Sequence, residues 1–404
     1  MSVITLFSGI FCNEEAIVRD VVDSTGHRLI TDDMVIAGAS ELSGIKESKI
    51  KKAFSSKTSV FNKFTHEKEC SIAYLRLALA RMLDHESIIV SGYSGLLIPE
   101  TISHVLRVCL IAETAFRLAL AKKERQLSEK EATRVISLED HDRSVWTDTL
   151  FSIKDPWDST LYDIVLPMGK TGPGKAGALI EENLLKEAVR RTDDSKAAVN
   201  DFLLAANTEV ALVNAGHNVA VQAKKGAVVL TINKQVLMLS RLEDELKTIA
   251  GKVAGVVSVD TRVGQTYHQA HIYRKHNFEV PSKVLLVDDE REFVQTLSER
   301  LQMRDMGSAV AYDGKSALDL VRDDEPEVMI IDLKMPGIDG MEILKEVKQT
   351  RPEIEVIVLT GHGSEKDRKK CMDLGAFAYM QKPVDINLLS ETLKKAHEKF
   401  KAGE

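Results

Sequence analysis

Val284-Leu-Leu-Val-Asp-Asp289, Val328-Met-Ile-Ile-Asp332, Ile354-Glu-Val-Ile-Val-Leu-Thr360 and Phe377-Ala-Tyr-Met-Gln-Lys-Pro383 are four short apolar runs, each ending in polar residues. Between and after them, at 291–303, 341–350, 365–374 and 386–400, apolar residues recur at helical spacing. β-rich runs that alternate with helical segments predict βα units and a parallel sheet covered on both faces. In such sheets ligands sit beyond the carboxyl ends of the strands. The spacing therefore predicts Asp288, Asp289, Asp332, Thr360 and Lys382 on one edge.

Those residue types define a chemistry. Three carboxylates crowded on one edge repel one another unless a hard divalent cation such as Mg²⁺, which takes oxygen ligands, sits among them. Asp332, alone at its strand end, is placed to attack phosphorus. Lys382 offers a point positive charge to phosphoryl oxygens and Thr360 a hydroxyl donor. Any one of these residues alone reads as a solvated loop group; five at matching strand ends do not.

Val287-Asp-Asp-Glu290, Ile331-Asp-Leu-Lys-Met-Pro-Gly337, Leu359-Thr-Gly361 and Tyr379-Met-Gln-Lys-Pro383 together resemble the receiver domain of bacterial two-component response regulators, over about residues 281–404. The resemblance implies a flavodoxin-like doubly wound parallel sheet. It also implies that Asp332 is the phosphoacceptor, that Asp289, Asp332 and the Lys334 carbonyl bind Mg²⁺ directly, and that Asp288 binds it through water. Thr360 and Lys382 match the pair that senses the phosphoryl group, Tyr379 the aromatic switch, and Lys382-Pro383 a bond expected to be cis.

The chain has 404 residues, 44% hydrophobic and 28% charged, with a formal net charge of −7. That length suggests two or three domains, and that charge argues against a broad nucleic-acid surface. Cys12, Cys70, Cys109 and Cys371 are scattered without a CxxC pair, which fits a reducing cytoplasm rather than a disulfide framework or a zinc site. No signal peptide and no run long enough to span a bilayer is expected.

Polar breaks at 190–195 and 264–282 divide the chain into three: residues 1–191, 195–264 and 283–404, with 265–282 as linker. His268, His271 and His276 in the second break lack the carboxylate and cysteine company of a metal site. A helical linker with solvated imidazoles is expected there.

In the first part, strand Val3-Ile-Thr-Leu-Phe7 leads through Ser8-Gly9 into a helix over 14–22. Ile88-Ile-Val-Ser-Gly-Tyr93 and Leu106-Arg-Val-Cys-Leu-Ile-Ala112 follow as strands, then a basic helix headed by Arg117 and another from 127 to 143. Asp155-Pro-Trp-Asp158 precedes Leu161-Tyr-Asp-Ile-Val-Leu166, and Thr31-Asp-Asp33 with Ala39-Ser-Glu-Leu42 reads as one more helix. In order and character this resembles the cytidylate-kinase-like family, a P-loop-kinase-like α/β fold, and Arg117, Arg134 and Arg143 fall where such kinases place phosphate-contacting arginines. The phosphate loop departs from the pattern: Glu14, Glu15 and Ala16 stand where Gly, Lys and Ser or Thr belong. A pseudo-kinase is expected.

In the middle part, a helix over 197–206 precedes Val219-Ala-Val-Gln-Ala223, a Lys224-Lys-Gly226 turn and Ala227-Val-Val-Leu-Thr-Ile232; a helix over 237–253 and strand Gly255-Val-Val-Ser-Val-Asp-Thr-Arg-Val263 complete it. This resembles a BON domain, a small α+β module, and is expected to be an adaptor or dimerisation module rather than a lipid-binding one, since it lacks a basic amphipathic face.

The expected protein is a cytoplasmic response regulator, phosphorylated by a sensor histidine kinase or phosphotransfer protein. It would act through a protein partner or self-association, without direct DNA binding. The alternative is a nucleoside monophosphate kinase gated by the receiver; a third reading is a scaffold with a vestigial receiver.

Overall fold

The computed structural model describes residues 2–83, 87–267, 273–361 and 363–403. The chain separates into two compact units, Met1–Thr58 with Lys68–Tyr273, and Ser59–Glu67 with Arg274–Glu404.

The first unit contains β1 (Val3–Ser8), β2 (Arg28–Thr31), β3 (Ile88–Ser91), β4 (Val105–Ile111) and β5 (Ile164–Pro167) in a parallel sheet of order β2-β3-β1-β4-β5. Strand β1 is buried along its whole length because successive side chains enter two cores. Val3 and Phe7 join one apolar cluster, Ile4 and Leu6 the other. The same unit carries β6 (Ala220–Lys224), β7 (Ala227–Ile232) and β8 (Ser258–Val263). The first two pair antiparallel and β7 pairs parallel with β8.

Several boundaries differ from the sequence reading, for local reasons. The helix expected over 127–143 runs from Glu129 to Phe151, opened by a Ser128–Glu131 capping box and tied down by Trp146, 1% exposed. The helix expected over 197–206 spans Asp193–Asn214, because Thr192 and Ser195 within the polar break form its capping box. Its Val199, Phe202 and Ala206 lie in the same core as β1, and its Leu212 in the core under β7. The amphipathic helix of this part is Leu239–Ala250, and the closing strand starts at Ser258. Thr31 caps the helix Asp32–Ser43, accepting from the Met34 amide at 3.4 Å.

The second unit contains β9 (Val284–Val287), β10 (Ser308–Ala311), β11 (Val328–Ile331), β12 (Glu355–Thr360) and β13 (Ala378–Gln381) in a parallel sheet of order β10-β9-β11-β12-β13. This is the doubly wound flavodoxin-like arrangement. Leu285, Val287, Met329, Ile331, Val356 and Val358 pack on one face with helices Gly314–Asp324 and Gly340–Thr350. Val284, Leu286, Val328, Ile330, Ile357 and Leu359 pack on the other with Arg291–Gln302 and Ile386–Gly403. Continuous apolar runs are the sequence mark of strands covered on both sides.

Ser59–Glu67 belongs to this unit. Phe61 is fully buried in the same cluster as Leu285, Ala317 and Val321, the Val60 amide donates to Asp324 Oδ1 at 3.0 Å, and Glu67 pairs with Lys283.

Residues 273–282 differ from the expected helical linker with solvated imidazoles. They form no helix, and half-buried His276 bonds to the Ser282 hydroxyl through Nε2 at 3.0 Å. Burial holds its pKa down at about 4. His268 and His271 lie outside the described residues.

Candidate functional site

The sheet order of the second unit reverses direction at β9, so the carboxyl ends of β9 and β11 flank a switch point. Ladder bonds carry both ends outward in register: the Asp288 amide donates to the Ala311 carbonyl at 3.2 Å and the Asp332 amide to that of Val287 at 3.0 Å. One carboxylate oxygen from each of Asp288, Asp289 and Asp332 lies within 4.8 Å of the others, with Asp288 and Asp332 buried and Asp289 exposed. Asp332 Oδ1 accepts from the Leu333 amide at 2.8 Å, which fixes its rotamer.

Lys382 enters from the end of β13, where its amide donates to the Thr360 carbonyl at 3.0 Å, and Lys382–Pro383 is cis. Its Nζ lies 2.7 Å from Asp288 Oδ2, 3.0 Å from Glu290 Oε1 and 3.6 Å from Asp332 Oδ2, above the Phe293 ring at 4.5 Å. Burial alone would lower the Lys382 pKa, but its bonds to Asp288 and Glu290 outweigh that and raise it. Burial raises the pKa of Asp288, opposed by Lys382 and by the Glu290 amide. An all-oxygen cluster with one half-buried ammonium beside it suits a hard cation that keeps some of its water. The residues therefore fit Mg²⁺, and Asp288, Asp289 and Asp332 would hold it.

Thr360 is fully buried at the end of β12, and exposed Lys334 lies in the loop two residues past Asp332. The Tyr379 hydroxyl is buried without a hydrogen-bond partner among the described residues, and burial raises its pKa. It lies against Gly363: a Cβ there would fall 1.5 Å from the hydroxyl oxygen and 2.9 Å from Thr360 Cγ2. Sequence reasoning missed Glu290, Phe293 and Gly363. Glu290 adjoins the aspartate pair and could have been proposed as a partner for Lys382; nothing in the sequence marks the other two.

In the first unit two of the three candidate arginines, Arg117 and Arg143, meet at the loop after β1, where each is tied to backbone and to an acid of its own, and the third stands apart. Arg117 forms a bidentate pair with Asp140 at 2.7 and 2.8 Å and donates to the Ile10 carbonyl; Arg143 donates to the Ser8 carbonyl at 2.7 Å and to Glu139 Oε2 at 2.8 Å; Arg134 is exposed. The loop after β1 is filled by side chains. Cys12 Sγ, Trp157 and Arg117 all come within about 3.5 Å of where a Gly9 Cβ would be. Phe11 is buried against Ala121, Ala132 and Ile136. Burial pushes the Cys12 thiol up to about 11. Glu14 accepts from the Ser91 hydroxyl, and Glu15 is exposed.

Residues 284–394 match the family described as the response regulator receiver domain, and residues 3–170 match the cytidylate kinase-like family. The transcriptional regulatory protein CpxR of Escherichia coli K12 is 44% identical over 104 residues, covering 26% of this chain and 44% of CpxR. The response regulator MprA of Mycolicibacterium vanbaalenii is 34% identical over 110 residues, 27% of this chain and 48% of that protein. The chain thus spans less than half the length of these curated relatives. A receiver domain protein from Clostridium thermocellum is 33% identical, covering 30% of this chain and 98% of that one, with a TM-score of 0.29. The C-terminal part is a receiver domain of the response-regulator kind. The N-terminal part is cytidylate kinase-like. Among the described residues, no helix is long and apolar enough to cross a membrane.

Proposed function

We propose that the protein is a two-component response regulator whose Asp332 accepts a phosphoryl group from the phosphohistidine of a sensor kinase or phosphotransfer protein. The reading rests on one observation above all: the three carboxylates within 4.8 Å of one another, with Lys382 Nζ 3.6 Å from Asp332. A carboxylate oxygen of Asp332 forms the new bond to phosphorus as the N–P bond of the donor breaks, and the released imidazole takes up a proton. Asp289, Asp332 and the Lys334 carbonyl would hold Mg²⁺ directly and Asp288 through water, and the ion would supply charge neutralisation for the incoming group. Thr360 and Lys382 then turn to the phosphoryl oxygens, which obliges Lys382 to give up contact with Asp288 and Glu290. Tyr379 follows Thr360.

We assign output to protein contacts of the other parts rather than to DNA. Residues 1–191 serve as a pseudo-kinase module, in keeping with a side-chain-filled loop and with Glu14 and Glu15 in place of a phosphate-binding lysine. Residues 195–264 serve as a BON-like adaptor, supported by the order helix, hairpin, helix, strand, and residues 265–282 link them to the receiver at 283–404.

Labelling with acetyl phosphate and Mg²⁺ tests the central claim. Asp332→Asn should abolish incorporation. Asp313→Asn should leave it intact, since Asp313 only caps a helix by accepting from the Ser316 amide at 2.9 Å. Equal labelling of wild type and Asp332→Asn would sink the assignment.

A further inference from the structure

The first unit holds a cavity of about 830 Å³ beyond the carboxyl ends of β2 and β3, large enough for a small organic ligand. One wall is apolar, made by Val18, Val22, Leu29, Ile36 and Phe54. Around the rest, seven carboxylates face three cationic side chains. That surplus repels phosphate.

The carboxylates fall into two sets. Asp32 accepts from the Tyr93 and Ser94 amides at 2.8 Å each and from the Ser94 hydroxyl at 2.6 Å. Gly92, at φ 117°, permits this, because a Cβ there would lie 2.1 Å from Asp32 Oδ2. Glu14 is bonded to Ser91, Asp142 to the Ser56 amide at 2.7 Å, and Glu139 to Arg143. These four are built into the wall. Glu15, Asp23 and Asp33 are exposed at the mouth. Asp33 shares an exposed 3.3 Å pair with Lys51; Glu15 and Asp23 have no partner among the described residues.

Three ligand classes can be set against this geometry. A single metal ion needs convergent ligands, and among the described residues only the aspartates of the receiver converge in that way. A quaternary ammonium needs a free aromatic face. The Tyr93 ring instead stacks on Phe54 at 5.2 Å, with the Arg143 guanidinium 5.1 Å from its centroid. What remains is a ligand whose positive charges are spread along an apolar body.

We infer that this cavity binds an aliphatic polyamine, its methylene chain on Val18, Val22, Leu29 and Ile36 and its ammonium groups at Glu15, Asp23 and Asp33. The inference rests on reading the first unit as a pseudo-kinase: its input is then an organic cation, not a nucleotide.

The test is calorimetric titration of the full chain with spermidine, putrescine and CMP, with Mg²⁺ in excess to occupy the receiver. Spermidine should bind with one-to-one stoichiometry, more tightly than putrescine, and CMP should not bind. Glu15→Gln combined with Asp33→Asn should weaken spermidine about tenfold or more, while the exposed control Asp260→Asn should not. Unchanged affinity in the double variant would mark diffuse counterion association and overturn the inference, as would absence of spermidine binding or stoichiometric binding of CMP. Phosphoryl transfer from ATP to CMP is assayed on the same sample. Turnover there overturns the pseudo-kinase reading, whereas no turnover with no spermidine heat overturns the polyamine alone.

Discussion

Lys382 stands closer to Asp288 and Glu290 than to Asp332, so the cation that a phosphoryl group would recruit is already held by two acids. Under the proposed phosphorylation of Asp332, the switch would be an exchange of partners for one ammonium. Tyr379 is held in a comparable way, its hydroxyl filling the space over Gly363 that any side chain would take. Gly363→Ala should therefore expel the ring without any phosphodonor. The Tyr379 ring resonances should shift in the resting protein and respond less to beryllofluoride than in wild type; resting resonances identical to wild type would show that Gly363 does not set the ring position. The five charged and hydroxyl residues of this edge were legible in the sequence because each stands at or just past the carboxyl end of an apolar run, and it is their coincidence there that the sequence shows. Gly363 was not, because its role is to be absent of side chain beside a residue sixteen positions away.

At the level of elements, legibility followed burial. β9, β11 and β12 are unbroken apolar runs because both of their faces are covered. β2 and β10 went unread, and both are edge strands, Arg28-Leu-Ile-Thr31 and Ser308-Ala-Val-Ala311, in which polar or small residues leave no unbroken run of large apolar side chains. Ser59–Glu67 went unread for another reason: its two apolar anchors, Phe61 and Phe64, imply no regular period, and its place in the second unit is a matter of long-range packing. Phe61 is 0% exposed, so Phe61→Ala should leave a cavity in the receiver core and cost about 3–5 kcal/mol. Urea unfolding followed by a probe in the receiver would check this. A loss below about 1 kcal/mol would mean the core collapses around the gap.

Over the whole molecule, two imidazoles with depressed pKa values, one in each unit, contribute to the response to acid. His104 is 2% exposed, and burial, aided by the positive Arg191 and N-terminus, holds its pKa at about 4. Burial does the same to His276 in the second unit. Their folded-state pKa values are depressed, so unfolded chains take up protons near pH 6.5 that the folded chain refuses until about pH 4. Stability is then complete above pH 6.5 and falls as pH drops from there toward 4. By pH 5 the loss at His104 is about 2 kcal/mol. His104→Asn should flatten the first unit's dependence over that window, read as urea midpoints at pH 7 and pH 5; an equal slope in wild type and variant would place the acid sensitivity elsewhere.

The placement of Phe61 also sets a timetable for synthesis. The residue leaves the ribosome roughly 220 residues ahead of β9, whose Leu285 and Val287 share its core. At about 5–20 residues per second that interval is on the order of 10 to 40 seconds. When the last strand of the N-terminal sheet, ending at Pro167, has been made, Phe61 therefore still has none of its core strands to pack into.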